Sequence, residues 1–174
     1  VVENKSGRSA YLARRVIDCT GDGDVAAGAG APFSVGRAAD GAVQPMTLMF
    51  KLADMDYVQD YAYPYADGNE LFDMLSRAMD RAGAGDYPHN FARPCLLKLP
   101  GAHTGVLQAT HMRGYDPLSA ESLTKAEIEG RQRAWEWLRI LRAYLPQFKT
   151  ARIDQTASMI GVRESRRVAG EYEL

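Results

Sequence analysis

The stretch Thr20-Gly21-Asp22-Gly23-Asp24 combines residue types suited to gripping a polar ligand through the main chain. Its glycines allow a sharp turn and let a ligand approach the backbone closely. Free N–H groups ahead of a short helix suit a negative group such as a pyrophosphate. The carboxylates can accept hydrogen bonds from sugar or ribityl hydroxyls, so the chemistry is that of a dinucleotide edge. Competing motifs fail on spacing. No Lys follows the glycines as a GxxxxGK[ST] phosphate loop requires, and the alternating acids and closing Glu of a Ca²⁺ loop are missing. A strand-to-helix turn whose Asp residues only cap the helix is the structural alternative.

Arg163, Arg166 and Arg167 form a second cluster, with Glu164 beside Arg163. On a helix Arg163 would share a face with Arg166 and with Arg167, and on a strand with Arg167. Such a cluster can orient an anionic substrate or flank an electron-rich ring, and an Arg–Glu network holding subdomains together is the competing account. Arg163 and Arg166 are therefore candidate catalytic residues. His111 joins them because imidazole titrates near neutrality, and His103 is a weaker candidate for the same work. Tyr57, Tyr61, Tyr63 and Tyr65 form an aromatic run that shapes a pocket or packs a loop. No Cys or His spacing indicates a metal.

These residues need elements to carry them. Residues 1–18 read as a β-hairpin: Val1 to Asn4, a turn at Lys5 to Arg8, and a return limb from Tyr11 to Asp18. Cys19 then lies in an apolar strand as a small core residue. Val25 to Ala31 reads as a short helix closed by Gly30 and stopped by Pro32. After a polar link from Gly36 to Gly41, Met46 to Leu52 reads as a strand. Spacing predicts an amphipathic helix from Glu70 to Ala82, with Asn69 as N-cap and Gly83 as terminator. Thr124-Lys125-Ala126-Glu127 has the form of a capping box opening a longer helix. That helix runs through Trp135, Leu138, Leu141 and Leu145 to Pro146, its Trp and Leu stripe packed into a core. Cys95 to Leu99, Gly105 to Met112, and parts of Ile153 to Leu174 read as strands. Irregular alternation of strands and helices gives an α+β class.

Taken together, Val16-Ile17-Asp18-Cys19-Thr20-Gly21-Asp22-Gly23-Asp24-Val25-Ala26-Ala27 resembles the V-I-D-A-T-G-D-G-D-V-A segment of FAD-dependent oxidoreductases of the two-dinucleotide-binding-domain type. Cys19 stands where Ala is usual. The resemblance continues in order through Gly30-Ala31-Pro32, Gly36-Arg37, Gln44-Pro45-Met46-Thr47 and Leu123-Thr124-Lys125-Ala126-Glu127. It ends at Gly161-Val162-Arg163-Glu164-Ser165-Arg166-Arg167, close to the family's G-V-R-E-S-R-R run. It implies FAD as cofactor, contacted by Thr20, Gly21, Asp22, Gly23 and Asp24. It also implies a C-terminal edge of a Rossmann-like FAD domain in residues 1–42, an α+β substrate-side domain in 43–160, and a return segment in 161–174. The GxGxxG that such proteins use for the FAD pyrophosphate is not in this sequence. Together with strand-like sequence at both ends, that reads as an internal fragment, inactive alone, of an oxidoreductase acting on a small organic substrate, for which the arginines favour an anion. A non-catalytic α+β binding module derived from a flavoprotein is the alternative.

Bulk composition agrees with a globular chain, at 46% hydrophobic and 25% charged residues. The net charge of −1, from 21 basic and 22 acidic side chains, argues against a nucleic-acid surface. Arg outnumbers Lys 16 to 5, and its planar fork suits carboxylates and phosphates. Two cysteines make no disulfide framework, which fits a reducing, cytoplasmic setting. No apolar run approaches the roughly 20 residues of a membrane span. An exposed sheet edge in residues 1–42 predicts self-association as a homo-oligomer.

Overall fold

Gly7, at φ +98°, lets the chain reverse between β1 (Val2–Asn4) and β2 (Gly7–Ser9). The strands pair antiparallel with Val2 opposite Ser9, and Ser6 N donates to Asn4 Oδ1 at 2.8 Å. The computed structural model describes residues 1–56, 70–83, 94–101 and 103–172, with the backbone alone for 70–72. The expected tyrosine run and the Asn69 cap lie outside the described residues.

The chain divides into two compact units, one of Val1–Val35 with Arg166–Leu174 and one of Gly36–Ser165. In the first, the hairpin's return limb is shorter than expected. Strand β2 ends at Ser9, and residues 10–23 hold no strand. Ile17 is 85% exposed and Cys19 is exposed rather than a core residue. The β-branched pair Val16-Ile17 has strand propensity, but a strand exists only when a neighbouring edge takes its N–H and C=O groups. None of the described strands does so. A short helix, α1 (Asp24–Gly28), follows, with Gly30 at φ +85° ahead of Pro32. Strand β3 (Phe33–Val35) then pairs antiparallel with β8 (Arg166–Val168), Phe33 facing Val168 and Val35 facing Arg166.

The second unit is built on a four-stranded antiparallel sheet in the order β5 (Cys95–Lys98), β6 (Gly105–Gln108), β4 (Phe50–Ala53), β7 (Arg152–Thr156). The strand expected over Met46 to Leu52 begins as two isolated bridges, Met46 to Met112 and Thr47 to Gly161, before becoming continuous at Phe50. Alternation sends Phe50, Leu52 and Leu107 to one face, where they are buried, and Lys51 and Val106 to the other. Helices α2 (Glu70–Arg81) and α3 (Ala120–Tyr144) supply the rest of that core through Leu75, Ala78 and Met79, and through Trp137, Leu138 and Leu141.

Two expectations for α3 are corrected. The helix starts at Ala120, and Ser119 caps it by accepting from Ser122 N at 3.2 Å. Thr124 is already inside, its hydroxyl donating to Ala120 O, so the capping-box residues sit in the second turn. Trp135 is 61% exposed and Trp137 is the buried one, its Nε1 donating to Ala109 O at 3.2 Å. The Leu138–Leu141 stripe faces the sheet, and Trp137 is adjacent to it in angle while Trp135 is not. Gly130 is tolerated mid-helix because a Cβ there would lie 2.8 Å from Leu48 Cβ, so the close contact of helix and chain requires its absence. The fold is a mixed α+β arrangement with small sheets and three helices among the described residues. No described helix is long and apolar enough to cross a membrane.

Candidate functional site

In the smaller unit, the Thr20–Asp24 loop is organised by Asp18. Its Oδ1 accepts from Thr20 N at 2.9 Å and from the Thr20 hydroxyl at 2.7 Å, while its Oδ2 accepts from Ala26 N at 2.8 Å. Those hydrogen bonds, the one from Ala26 foremost, hold the Asp18 carboxyl below its ordinary 3.8. Thr20 Oγ1 in turn accepts from Asp24 N at 3.3 Å. The open first turn expected of α1 is therefore occupied by the chain's own carboxylate and hydroxyl. Gly23 takes the left-handed conformation (φ 62°, ψ 32°) that the tight entry to α1 requires, and a Cβ there would meet Val168 Cγ2 at 3.1 Å.

Arg166 closes this loop from β8. Its Nη1 donates to Asp22 O at 3.0 Å and pairs with Asp24 Oδ1, and its guanidinium lies 5.3 Å from the centroid of the Phe33 ring. Arg167 Nε donates to Ser34 Oγ at 3.4 Å. Of the five expected cofactor-contacting residues, Thr20 and Asp24 spend side-chain capacity on the loop itself. Gly21, Asp22 and Gly23 keep their N–H groups without a hydrogen-bond partner among the described residues, and nothing lies within 4 Å of a Cβ built on Gly21. These donors fit one side of a dinucleotide, as hydrogen bonds to its phosphate or hydroxyl oxygens.

His111 and Arg163 belong to the larger unit and meet there. Arg163 Nη2 donates to Thr47 Oγ1 and to His111 Nε2, each at 3.4 Å. The second bond requires the imidazole proton to be on Nδ1. His111 is buried at 6% exposure, and that burial, with Arg163 and Arg133 beside it, pushes its pKa down to about 4. At neutral pH it is an uncharged acceptor. Its carbonyl accepts from Arg133 Nη1 at 2.6 Å, and Arg133 is paired with Glu129 Oε1 at 2.5 Å. The Tyr115 hydroxyl donates to the same Glu129. Glu164 Oε2 accepts from Gln44 N at 3.0 Å.

Residues 162–165 form no regular element, so the helical or strand face expected for Arg163, Arg166 and Arg167 does not form. Each arginine has its own partners. Arg163 borders a cleft of about 520 Å³ lined also by Gln44, Thr47, Met49, Met159 and Val162. A second hollow of about 300 Å³ on the outer sheet face shares Met49 and Ala157 with it. The wall of the cleft is tied to α3, where Glu127 accepts from Ile160 N at 2.5 Å. His103, the weaker histidine candidate, sits in a turn at φ +62° with its Nδ1 2.7 Å from Met55 O.

Sequence reasoning passed over Asp18 and Thr47 as working side chains. For Asp18 a signal existed, since Asp-x-Thr ahead of a short helix is an Asx-turn pattern. For Thr47 the signal was its place in the Gln44-Pro45-Met46-Thr47 segment of the resemblance, which did not give its partner Arg163, distant in sequence.

A family model described as FAD dependent oxidoreductase matches residues 1–174. Searches of curated proteins and of solved structures returned no match. A match running from the hairpin through the Thr20–Asp24 loop, the sheet and the Arg163 cleft to β8 leaves no part of the chain outside one family, and the chain belongs to the FAD dependent oxidoreductases.

Proposed function

We propose that Val1–Val35 with the β8 return forms the edge of a Rossmann-like FAD domain, and that the larger unit is substrate-side. The observation that carries this is the Thr20–Asp24 loop, whose backbone donors at Gly21, Asp22 and Gly23 have no hydrogen-bond partner among the described residues while Asp18 and Arg166 hold its shape. When bound, FAD supplies the hydride- or electron-accepting chemistry, and the protein's part is binding and orientation. Gly21, Asp22 and Gly23 donate to the cofactor's oxygens. Thr20 and Asp24 keep the turn in place, and Arg166 acts on the flavin side only through that turn. Arg163 orients a small anionic organic substrate, and His111 acts through Arg163.

This chain alone does not turn over substrate, because no GxGxxG is present to bind the pyrophosphate's other side. The setting is cytoplasmic and the substrate a small molecule. The test is titration of the chain with FAD, followed by the flavin's visible spectrum and fluorescence, with Gly21→Val as control. Uptake in the parent sequence that weakens at least about tenfold with Gly21→Val supports the reading, since a side chain there displaces ligand from free backbone donors. Identical uptake in both, or none in a polypeptide that also carries the upstream glycine motif, sinks it.

A further inference from the structure

Several arginines of the larger unit are paired with carboxylates. Arg37 pairs with Asp40, Arg131 with Glu127, Arg133 with Glu129, and Arg152 with Asp54 and Asp154. Arg163, like Arg142 on the Ala151 carbonyl, is held by uncharged partners instead. Its two partners, the Thr47 hydroxyl and the His111 imidazole, are uncharged, and both contacts are long at 3.4 Å. Among the described residues it has no acidic partner, and its Nη1 and Nε make no hydrogen bond. Two neutral acceptors fix the direction of the guanidinium without cancelling its charge. That is the arrangement of a receptor for an anion, because the charge is left for the ligand and the fork is already aimed.

The surroundings narrow the ligand. Beside Arg163 the cleft is walled by the apolar side chains Met49, Met159 and Val162, with Gln44 and Thr47 as the polar members. One cation among thioethers and methyl groups matches one carboxylate carried on a short apolar body. A phosphate calls for several charge-assisted donors, and Arg163 is the one cation among the residues lining the cleft. Burial keeps His111 neutral, so it continues to accept from Arg163 across the physiological range.

The geometry points to a carboxylate subsite in this cleft, with Arg163 gripping the acid group, His111 and Thr47 as positioning residues, and a short apolar body lying along Met49 and Met159. It rests on the reading of Arg163 as the anion-orienting residue and gives the substrate its class, a small organic acid.

The test titrates the full ¹⁵N-labelled chain with butyrate and, separately, with butyramide, which has the same shape and no charge. Backbone amide signals of Gly161 and Val162, beside the cleft, serve as reporters. Saturable shifts with butyrate are expected, with butyramide at least about tenfold weaker, as loss of a charge-assisted pair dictates. Arg163→Gln should weaken butyrate by a similar factor. His111→Gln, which keeps an acceptor, should hold affinity within about threefold of the parent, while His111→Phe should lose roughly tenfold. Circular dichroism checks that each variant is folded. Should His111→Phe fail that check, Arg163→Gln and His111→Gln still decide.

Equal response to acid and amide, no saturable butyrate response, unchanged affinity in Arg163→Gln, or tighter binding of inorganic phosphate would each overturn the subsite. The FAD titration is scored separately on the same preparation. Flavin uptake without a butyrate response removes the subsite and leaves the flavoprotein reading standing. A butyrate response without flavin uptake keeps the subsite, and the loop's cofactor role is then decided on the polypeptide that also carries the upstream glycine motif.

Discussion

Asp18 with Arg166 in one unit and Arg163 with His111 in the other show two ways of holding a polar site. In the smaller unit no described residue is buried, and the loop is shaped by a carboxylate capping backbone N–H groups and by an arginine neutralised on Asp24. In the larger unit a core of Phe50, Leu107, Trp137 and Leu141 is buried, and Arg163 is held by two neutral acceptors, Thr47 and His111. Arg166 and Arg163 stand three residues apart in the sequence and do opposite things. A guanidinium whose charge is answered by a carboxylate works as a clamp, and one whose charge is left open works as a receptor.

The comparison can be broken most forcefully at the core. Leu141→Ala removes a fully buried side chain between α3 and the sheet and should cost about 2–5 kcal/mol in denaturant unfolding. Amide exchange in residues 18–28 should be unchanged under native conditions, since the loop there depends on polar contacts of its own unit. Coupled loss of protection in both would show that the two are not held independently.

Acid sharpens the contrast further. The pKa of His111 is about 4 when folded, against 6.5 for an ordinary imidazole. The unfolded chain therefore binds a proton first, and stability is highest above pH 6.5 and falls as pH drops from 6.5 through about 4. The loss should be on the order of 2–3 kcal/mol, absent in His111→Gln, in chemical unfolding at a series of pH values.

Thr110 gives the next effect. Its hydroxyl donates to Leu48 O at 2.7 Å and accepts from Leu48 N at 2.9 Å, replacing a missing ladder partner within the core. Thr110→Val keeps the volume and strands both groups, at a cost of about 1–3 kcal/mol. A stability within experimental error of the parent would contradict that role.

The smallest effect belongs to Asp18. Because its folded carboxyl is held below 3.8, its contribution is complete above that value and is lost as pH falls through the lower folded one. Exchange protection of the Ala26 amide should follow this titration, and Asp18→Asn should abolish the pH dependence without moving the main unfolding transition.

What could be read in the sequence is local or ordered along the chain. Gly30 before Pro32, the amphipathic spacing of Glu70 to Ala82 (helical over Glu70–Arg81), the glycine at 83 and the strands around Leu96 and Leu107 depend on neighbours within a few residues. The succession of motifs from Thr20-Gly21-Asp22-Gly23-Asp24 to Gly161–Arg167 was enough to place the family. Tertiary structure decided the rest. It left Val16-Ile17 out of any strand because no described edge pairs with it, and it turned Trp137 rather than Trp135 toward the core because the sheet lies on that side of α3. It also separated Arg163 from Arg166, since hydrogen bonds to Thr47 and His111, or to Asp22 and Asp24, join residues that sequence spacing does not relate. The side chains alone carry the charge, and only the packed chain decides which of those charges is answered from within.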